Sequence, residues 1–391
     1  MEKQLDIVIV GGGLSGLALA AELAAPEFAA LSILVLEKRV KYSRDRTWSY
    51  WAPSAGTHHS YSHLERARWG QWAVSLNENS CQQASQHYVY ATLDADAFYT
   101  TALKTIASSK HVELRLSTGV ASIAAQSTSQ GITITTEQND AMQARWVFDA
   151  RPLRQVAQST LVQQFAGWEV HTEEDAFDSE TVQLMAFEPH AKGLHFWYVL
   201  PYSARNALVE STWISPASWQ PDTTLELQQY LAHRLKGKPY SVAYKEQGVL
   251  SLDAVRPSST NHVIPLGRGG GTLRPSTGYA FLDTLAHTEG LADSLRTTLS
   301  QLGVNKARAS WQPQTFTRAA TDHWMDAVFL NALSHDWLRA PHYFMQIFER
   351  VGADSVVAFL SGRASPAQRL TIMRALPILP FANAALRRLV A

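Results

Sequence analysis

The chain has 391 residues, of which 46% are hydrophobic, and its 34 Lys and Arg balance 34 Asp and Glu. This composition excludes an intrinsically disordered chain, and the zero net charge argues against nucleic acid as a partner. The single cysteine, Cys81, excludes an intramolecular disulfide, a dithiol redox pair and a cysteine-based metal site. The sequence also contains 12 Trp, which indicates dense aromatic packing, a large apolar ligand or a membrane face.

The first predicted elements form a β-α-β unit over residues 5–37. An apolar strand at residues 6–10 leads into a glycine loop, a helix and a second apolar strand. Gly11, Gly13 and Gly16 form the pattern G-x-G-x-x-G, which allows a tight turn, close approach of a pyrophosphate and close packing of helix on strand. The unit therefore predicts a dinucleotide site, the alternative being a glycine-rich turn that binds nothing.

Three later features bear on the identity of the dinucleotide. Glu37 ends the second strand, where a carboxylate can bind ribose hydroxyls. A strand ending near Asp149 and a second glycine loop at residues 265–281 favour FAD over a nicotinamide dinucleotide, although an exposed turn is the alternative for that loop. The residues expected to contact the dinucleotide are Gly11, Gly13, Leu14, Ser15, Gly16, Glu37, Lys38, Asp149, Gly267, Gly278 and Tyr279.

The rest of the chain changes character along its length. Residues 40–90 predict loops with short strands, and residues 94–107 predict a helix. Residues 165–213 have the pattern of an antiparallel sheet, and aromatic-rich helical periods follow from about residue 315. We expect an α/β fold in four segments: 1–160 and 261–310 as two parts of a Rossmann-type dinucleotide domain, 161–260 as an inserted antiparallel β-sheet substrate domain, and 311–391 as a helical C-terminal part with a membrane-docking face.

Several segments in a fixed order carry a family resemblance. They are DIVIVGGGLSGLALA at 6–20, RTWSYW at 46–51, FDARP at 148–152, FAGWEV at 165–170, VLPYSARNALVEST at 199–212, RPSTGYAF at 274–281 and the aromatic tail at 329–377. Together they resemble the flavin-dependent lycopene cyclases of carotenoid-producing bacteria, relatives of plant lycopene beta-cyclase. The T-W-S tripeptide, the Trp-Glu pair and the Leu-Pro…Glu-Ser-Thr stretch are more selective than the N-terminal glycine motif.

The resemblance implies a fold and an activity. The implied fold is that of aromatic-hydroxylase-like flavoproteins, with a Rossmann-type FAD domain, an inserted β-sheet domain and a helical C-terminal part. The implied activity is that of a lycopene beta-cyclase, which closes the ψ-ends of lycopene or a related acyclic carotenoid to β-ionone rings, giving gamma-carotene and beta-carotene. FAD acts in its reduced form without net redox change, and NAD(P)H reduces it.

Two other classes of protein remain open. One is a redox flavoenzyme of the same fold, either an FAD-dependent monooxygenase or a prenyl-lipid reductase. Such monooxygenases usually carry a Gly-Asp pair before the second glycine loop, whereas Gly267 is followed by Arg268 here. The other is a flavin-binding protein that only carries an isoprenoid.

The resemblance also implies two catalytic acids, Glu210 in VEST and Glu169 in WEV. A carboxyl group whose pKa is raised by desolvation can stay protonated and deliver a proton inside an apolar pocket. Many relatives have two adjacent acids where this chain has Glu210 and Ser211, which puts a paired carboxylate in doubt. For each of the two acids, a structural or surface role is the alternative.

Aromatic residues in or beside the matched segments are candidates for substrate binding. Aromatic faces stabilise a desolvated cation by up to ~2 kcal/mol without reacting with it. The candidates, for each of which core packing is the alternative, are Trp48, Trp51, Trp168, Trp197 and Tyr198. No spacing of His and carboxylates indicates a metal, so we expect none.

Cellular location is predicted from segments that are missing. The N-terminus lacks the pattern of a secretory signal, and no run of 18 apolar residues is present. Because lycopene resides in bilayers, we expect a cytoplasmic protein that is peripheral on the inner face of the membrane. The apolar segment 375–391, with Arg387 and Arg388, predicts the docking face, the alternative being a helix packed on its own protein.

Overall fold

The computed structural model describes residues 4–56, 58–125, 131–152, 158–257 and 262–390, which form a mixed α/β structure. Its strands are β1 (Leu5–Val10), β2 (Ile33–Leu36), β3 (Thr47–Pro53), β4 (Ala67–Trp69), β5 (Gln71–Leu76), β6 (Asn79–Ala84), β7 (Tyr88–Asp94), β8 (Val112–Arg115), β9 (Val120–Ala125), β10 (Ile132–Thr136), β11 (Ala141–Asp149), β12 (Leu161–Thr172), β13 (Thr181–His190), β14 (Gly193–Ser203), β15 (Asn206–Pro216), β16 (Tyr240–Ser251) and β17 (Val263–Pro265). Its helices are α1 (Leu14–Glu22), α2 (Ala95–Ser108), α3 (Thr223–Arg234), α4 (Phe281–Ser310), α5 (Ala320–His335), α6 (Ala340–Arg350), α7 (Ala353–Leu360), α8 (Pro366–Ala375) and α9 (Ile378–Val390).

The first sheet is of the Rossmann type. β8, β2, β1 and β11 lie side by side in parallel, β17 pairs with β11 in parallel, and β10 and β9 form an antiparallel hairpin at one edge. Apart from Asp6, β1 is apolar, and it is buried beyond its first residue because clusters of hydrophobic side chains cover both of its faces. The predicted β-α-β unit is confirmed, and the chain returns to this sheet at β17.

The second sheet contains the predicted antiparallel strands and two more. β16, β12, β15, β14 and β13 follow one another antiparallel, and then β5 joins β13 in parallel, with β6 on the outside. Residues 71–84 thus belong to the same sheet as residues 161–251, although the sequence predicted an inserted sheet made from the later segment alone. A small third sheet of β3, β7 and β4 lies earlier in the chain.

The two faces of the second sheet have different partners. Side chains alternate along a strand, so neighbours in sequence point to opposite faces. Tyr198 and Glu210 face a cavity beside the first glycine loop. Trp197 lies on the other face, in an apolar cluster with side chains of α3. This alternation decides which of the predicted site residues can act together.

The C-terminal helices cover the cavity side of the second sheet. α6 packs on β5 and β6, and its Phe344 contacts Phe187 of β13 at a ring-centroid distance of 5.5 Å. The Arg274–Asp326 ion pair, with side chains 3% and 2% exposed, connects the second glycine loop to α5. No helix within the described ranges is both long and apolar enough to cross a bilayer.

Candidate active site

One cavity of about 510 Å³ lies between the glycine loops of the first sheet, the second sheet and the C-terminal helices. Gly13, Leu14 and Ser15 line one end of it, and the inner face of the second sheet lines the other. Phe344 of α6 and Leu360 of α7 complete the wall. A ligand at the glycine loop would therefore lie next to whatever occupies the sheet face.

The first glycine loop has the geometry that its sequence predicts. Gly11 has φ of +100°, which favours glycine, and a Cβ on Gly16 would overlap the carbonyl oxygen of Gly11. A Cβ on Gly13 would meet no atom within 4 Å, because this residue borders the open cavity. The N-terminus of α1 has no side-chain cap, so its backbone N–H groups are available to an anion.

Glu37 is buried at the end of β2, beside the glycine loop. Its carboxylate accepts hydrogen bonds from the backbone N–H of Gly12 and, at 2.8 Å, from that of Arg39. Lys38 is exposed, whereas Arg39, which sequence reasoning missed, lines the cavity. Glu37 contacts the glycine loop through Gly12, but neither Glu37 nor Lys38 lines the cavity.

Of the other predicted cofactor residues, some line the cavity and one does not. Gly267, with φ of +58°, and Gly278, with φ of +72°, both line the cavity, as does Tyr279. Asp149 is held in an ion pair of 2.7 Å with Arg151, and it is Arg151 that lines the cavity. The second glycine loop therefore borders the site and is not a detached surface turn.

Glu210 lies in the cavity wall and is buried. On β15 it is directly opposite Gly167 of β12 and Tyr198 of β14. Its side chain lines the cavity, although the whole residue is only 8% exposed. Burial, with a smaller effect of the nearby Glu246 carboxyl, raises the pKa of Glu210 well above its ordinary value. The surroundings of Glu210 therefore favour the protonated form of its carboxyl group.

Glu246 was missed by sequence reasoning. It lies on β16, opposite Gly167 from the other side, is 7% exposed and lines the same cavity. Burial raises the pKa of Glu246 to about 7, against the opposing effect of hydrogen bonds from Tyr244 and Thr47. The cavity thus contains two buried carboxyl groups, although Ser211 stands where relatives have a second acid.

Three tyrosines form a hydroxyl cluster beside Glu210. Tyr198 donates a hydrogen bond of 2.9 Å to the hydroxyl of Tyr90, and Tyr279 donates one of 3.3 Å to the same oxygen. All three line the cavity, and burial raises the pKa of each hydroxyl well above its ordinary value. The cluster therefore offers neutral hydroxyls and aromatic faces next to the protonated carboxyl.

Glu169, the second predicted acid, lies in an ionic cluster. Its carboxylate binds Arg44 at 2.6 Å and Arg66 at 2.6 and 2.9 Å. Burial alone would raise the pKa of Glu169, but the hydrogen bonds and charges of the two guanidinium groups outweigh burial and lower the pKa to about 2. A carboxylate held in this way remains ionised, which suits a structural role better than proton delivery.

The predicted aromatic residues are not all in one place. Trp48 and Tyr198 line the cavity. Trp51 packs in the core against Trp72, with ring centroids 4.5 Å apart. The remaining two, Trp168 and Trp197, belong to the cluster beneath α3, on the far face of the sheet. Trp51, Trp168 and Trp197 therefore do not line the cavity.

Ser211 also lies on the far face. Its hydroxyl donates to Glu226 at 2.6 Å and is 3.1 Å from Nε2 of His195, whose Nδ1 is 3.3 Å from Glu188. Ser211 is fully buried, so this array of Ser, His and carboxylate is closed to substrates. An acid at position 211 would consequently point away from the cavity.

One group of potential metal ligands occurs among the described residues outside the cavity. His58, His59 and Glu65 place a ligand atom each within 4.8 Å of one another. These groups already bind neighbours: His59 contacts the Tyr50 hydroxyl at 3.0 Å, and Glu65 pairs with Arg68 at 3.2 Å. These three residues form a polar cluster next to β3 and do not line the cavity.

The fold and the cavity together define an α/β protein in which a Rossmann-type sheet and a second sheet with a buried acid border one cavity. The sequence matches the family described as lycopene cyclase protein over residues 6–386. The chain belongs to the lycopene cyclase family. It is similar to a lycopene beta-cyclase of Paracoccus sp., with 24% identity over 394 residues that cover 97% of this chain and 96% of the relative.

Solved structures support the fold. The chain is similar to a geranylgeranyl bacteriochlorophyll reductase-like protein from Thermoplasma acidophilum, with a TM-score of 0.60, 13% identity and coverage of 99% of this chain and 98% of that one. It is also similar to halogenase PltM in complex with phloroglucinol and FAD, with a TM-score of 0.61, 14% identity and coverage of 98% and 95%. At such identities the likeness concerns the fold alone, and it agrees with the predicted flavoprotein architecture.

Proposed function

We propose that this chain is a lycopene beta-cyclase that closes the acyclic ψ-ends of lycopene to β-ionone rings, by way of gamma-carotene to beta-carotene. The observation that carries the proposal is Glu210, a buried carboxyl group in the wall of a cavity that aromatic, aliphatic and polar side chains line together, where burial raises its pKa well above the ordinary value. Family membership and the lycopene beta-cyclase relative support the choice of substrate. Such a carboxyl group is the general acid that protonation of an alkene requires.

The proposed chemistry begins with transfer of the Glu210 proton to the terminal double bond of the substrate. The resulting cation is attacked by the neighbouring alkene, which closes the ring, and loss of a ring proton forms the final double bond. Trp48, Tyr90 and Tyr198 face the cavity and would stabilise the cation through their ring faces, by up to ~2 kcal/mol for a desolvated contact. The hydroxyls of Tyr90 and Tyr198, whose pKa values burial raises well above the ordinary value, are weak nucleophiles and would not trap the cation.

The proposed cofactor is FAD in its reduced form, with NAD(P)H as reductant. The uncapped N-terminus of α1 and the open side of Gly13 fit a pyrophosphate, and Glu37 fits the ribose of the adenosine half. Gly267, Gly278 and Tyr279 border the same cavity and would hold the other half. When bound, reduced FAD would supply negative charge beside the substrate without a net transfer of electrons.

The proposed site of action is the inner surface of the cytoplasmic membrane. α8 and α9 expose a row of large apolar side chains, with Ile378 81% and Leu379 75% exposed. Residues 366–391 contain four Arg and no Asp or Glu, which complements anionic headgroups. The exposed apolar side chains on these two helices, which we call the docking face, are Leu370, Met373, Ile378, Leu379, Leu386 and Leu389.

Expression in bacteria that accumulate lycopene tests the proposal directly. We expect chromatography of the pigments to show conversion of lycopene to gamma-carotene and beta-carotene. Cells carrying the empty vector are the control. Unchanged lycopene, or a hydroxylated or reduced carotenoid in its place, would instead indicate a binding protein, a monooxygenase or a prenyl-lipid reductase.

A further inference from the structure

The two buried carboxyl groups of the cavity are brought together by one glycine. Gly167 is the register partner of Glu210 on one side and of Glu246 on the other. A Cβ on Gly167 would lie 2.7 Å from Cγ of Glu210 and 3.3 Å from Cγ of Glu246. Because Gly167 has no side chain, nothing on β12 separates the two carboxyl groups at this level of the sheet.

Two buried carboxylates so close together cannot both ionise without a large electrostatic cost. The usual result is that the pair shares one proton over a wide range of pH. Both residues are largely removed from water, at 8% and 7% exposure, so water screens the repulsion poorly. The stable form of the pair at neutral pH therefore has one protonated and one ionised member.

The surroundings decide which member is ionised. Glu246 accepts a hydrogen bond of 2.9 Å from Tyr244 and lies near the positive charges of Arg44 and Arg46. Glu210 instead faces the neutral hydroxyl cluster of Tyr198, Tyr90 and Tyr279. Cations and donated hydrogen bonds favour the anionic form, so the proton resides on Glu210 and the charge on Glu246.

We propose that Glu246 is a second catalytic residue, the base that receives the proton lost from the new ring and returns it to Glu210. The proposal rests on the cyclisation proposed above. The O–H bond of Glu210 breaks as a C–H bond forms on the substrate, and the ring closes. A ring C–H bond then breaks, its electron pair becomes the ring double bond, and Glu246 takes the proton. Transfer from Glu246 to Glu210 across Gly167 restores the starting state, so each cycle consumes no proton and no electron.

This proton relay, from Glu210 through the substrate to Glu246 and back, explains how the buried acid can work repeatedly. The acid must regain a proton after each ring closure, and the acid that lies deepest exchanges slowly with water. A base on the adjacent strand supplies that proton from the substrate itself. The relay also predicts a pH dependence: activity falls as pH decreases through about 7, where Glu246 becomes protonated and can no longer act as a base.

Several charged and titratable groups surround Glu246. Tyr244 lies beside Glu246 on the same strand, and Glu210 lies across β12. Arg44 and Arg46, which precede β3, and Thr47, its first residue, also act on Glu246. Arg268 of the second glycine loop lines the same cavity. Of these groups, the carboxyl pair accounts for the acidic limb of the pH profile, because burial raises the pKa of Glu246 to about 7.

The test is the substitution Glu246→Gln in protein loaded with reduced FAD and supplied with lycopene in liposomes. We expect kcat to fall by ~10²-fold or more, with bound FAD and lycopene binding unchanged, and the acidic limb of the pH profile to disappear. E226Q is the matched control, because Glu226 lies on α3, on the far side of the same sheet from the cavity, and its substitution should leave the profile intact. If E246D recovers part of kcat and shows the acidic limb of the pH profile again, Glu246 acts as a base. A structural residue would not restore the limb.

The possible outcomes separate this inference from the proposed function. If wild-type protein forms no cyclic carotenoid, the proposed function fails. If wild-type protein cyclises lycopene and E246Q does so at the same rate with the same pH profile, the relay alone is overturned. Should E246Q fail to fold, infrared spectra of wild-type protein decide: a protonated carboxyl band that persists at neutral pH and shifts in E210Q supports the shared proton, and its absence refutes it.

Discussion

Two carboxyl groups on neighbouring strands, Glu210 and Glu169, have opposite proton affinities because their surroundings differ. Glu169 binds Arg44 and Arg66, which keep its carboxylate ionised. Glu210 is buried and has a second carboxyl group, Glu246, nearby, and both burial and that carboxyl group raise its pKa. The same residue type thus provides an ionic anchor in one position and, we propose, a proton donor in the other.

The substitution Glu210→Gln tests the donor. Gln has almost the same shape and cannot deliver a proton, so we expect kcat for lycopene to fall by ~10²- to 10⁴-fold while FAD absorbance is unchanged. E349Q, an exposed position on α6, is the control and should behave as wild type. Cyclisation by E210Q at the normal rate would show that another group donates the proton.

The sequence identifies Glu210 but cannot identify its partner. The segment that carries Glu210 resembles a known family, whereas Glu246 stands on a strand whose pairing with β12 is a long-range contact. No local pattern predicts such a contact. The alternation of side chains along a strand shows which residues share a face, but it does not show which other strands lie beside it. Ser211 shows the same limit, since the acid expected beside Glu210 would have faced the opposite side of the sheet.

At the level of elements, alternation along the strands separates the predicted aromatic residues. Trp197 and Tyr198 are adjacent in β14, yet the first stacks on Tyr230 of α3 at 3.9 Å and the second lines the cavity. The strand itself was predictable from its pattern. Which face meets the cavity depends on the position of α3, which the local sequence does not determine.

α8 and α9 allow a prediction about the membrane. Each Leu side chain that inserts into a bilayer contributes about 1.5–3 kcal/mol, so L379D/L389D should weaken binding to anionic vesicles by ~10-fold or more. Vesicle co-sedimentation measures the effect. The control is L225D on α3, an exposed Leu away from the docking face.

Turnover separates docking from damage to the fold. Lycopene dispersed in detergent does not require the docking face, so L379D/L389D should cyclise it at the wild-type rate. Unchanged vesicle binding by this variant would assign the exposed leucines of α9 to another contact.

At the scale of the whole molecule, the cavity depends on contacts between segments that are far apart in the sequence. The Rossmann unit, the sheet and the helical tail were each predicted from local pattern. Their assembly was not, since it relies on contacts such as the buried pair of Arg274 with Asp326 at 2.9 Å. The Ser276 hydroxyl also donates to Asp326, at 2.6 Å. This anchor holds α5 against the second glycine loop.

Asp326→Asn should destabilise the whole protein. The substitution leaves the guanidinium of Arg274 buried without a counter-charge, which costs roughly 3–5 kcal/mol of unfolding free energy. Urea denaturation measures the loss. E27Q is the matched control, because its exposed pair with Arg296 contributes at most about 1 kcal/mol. Equal effects of D326N and E27Q would show that the buried pair does not anchor the helical tail.

The carboxyl pair also makes the stability of the whole protein depend on pH. The folded state raises the pKa of Glu246 from 4.5 to about 7, so it binds the proton more tightly than the unfolded chain. The free energy of unfolding must then fall as pH rises from about 4.5 to about 7, by on the order of 3 kcal/mol at most, and Glu210 extends the fall to higher pH. E246Q removes this contribution, so it should be more stable than wild type at about pH 8 and similar to it at about pH 4.5.

E169Q should differ in the opposite sense, because the lowered pKa of Glu169 contributes stability that is present above pH 4.5 and is lost as pH falls toward 2. Urea denaturation of the three proteins across this range measures both slopes, and an E246Q curve parallel to that of wild type would mean that Glu246 is ionised at no electrostatic cost.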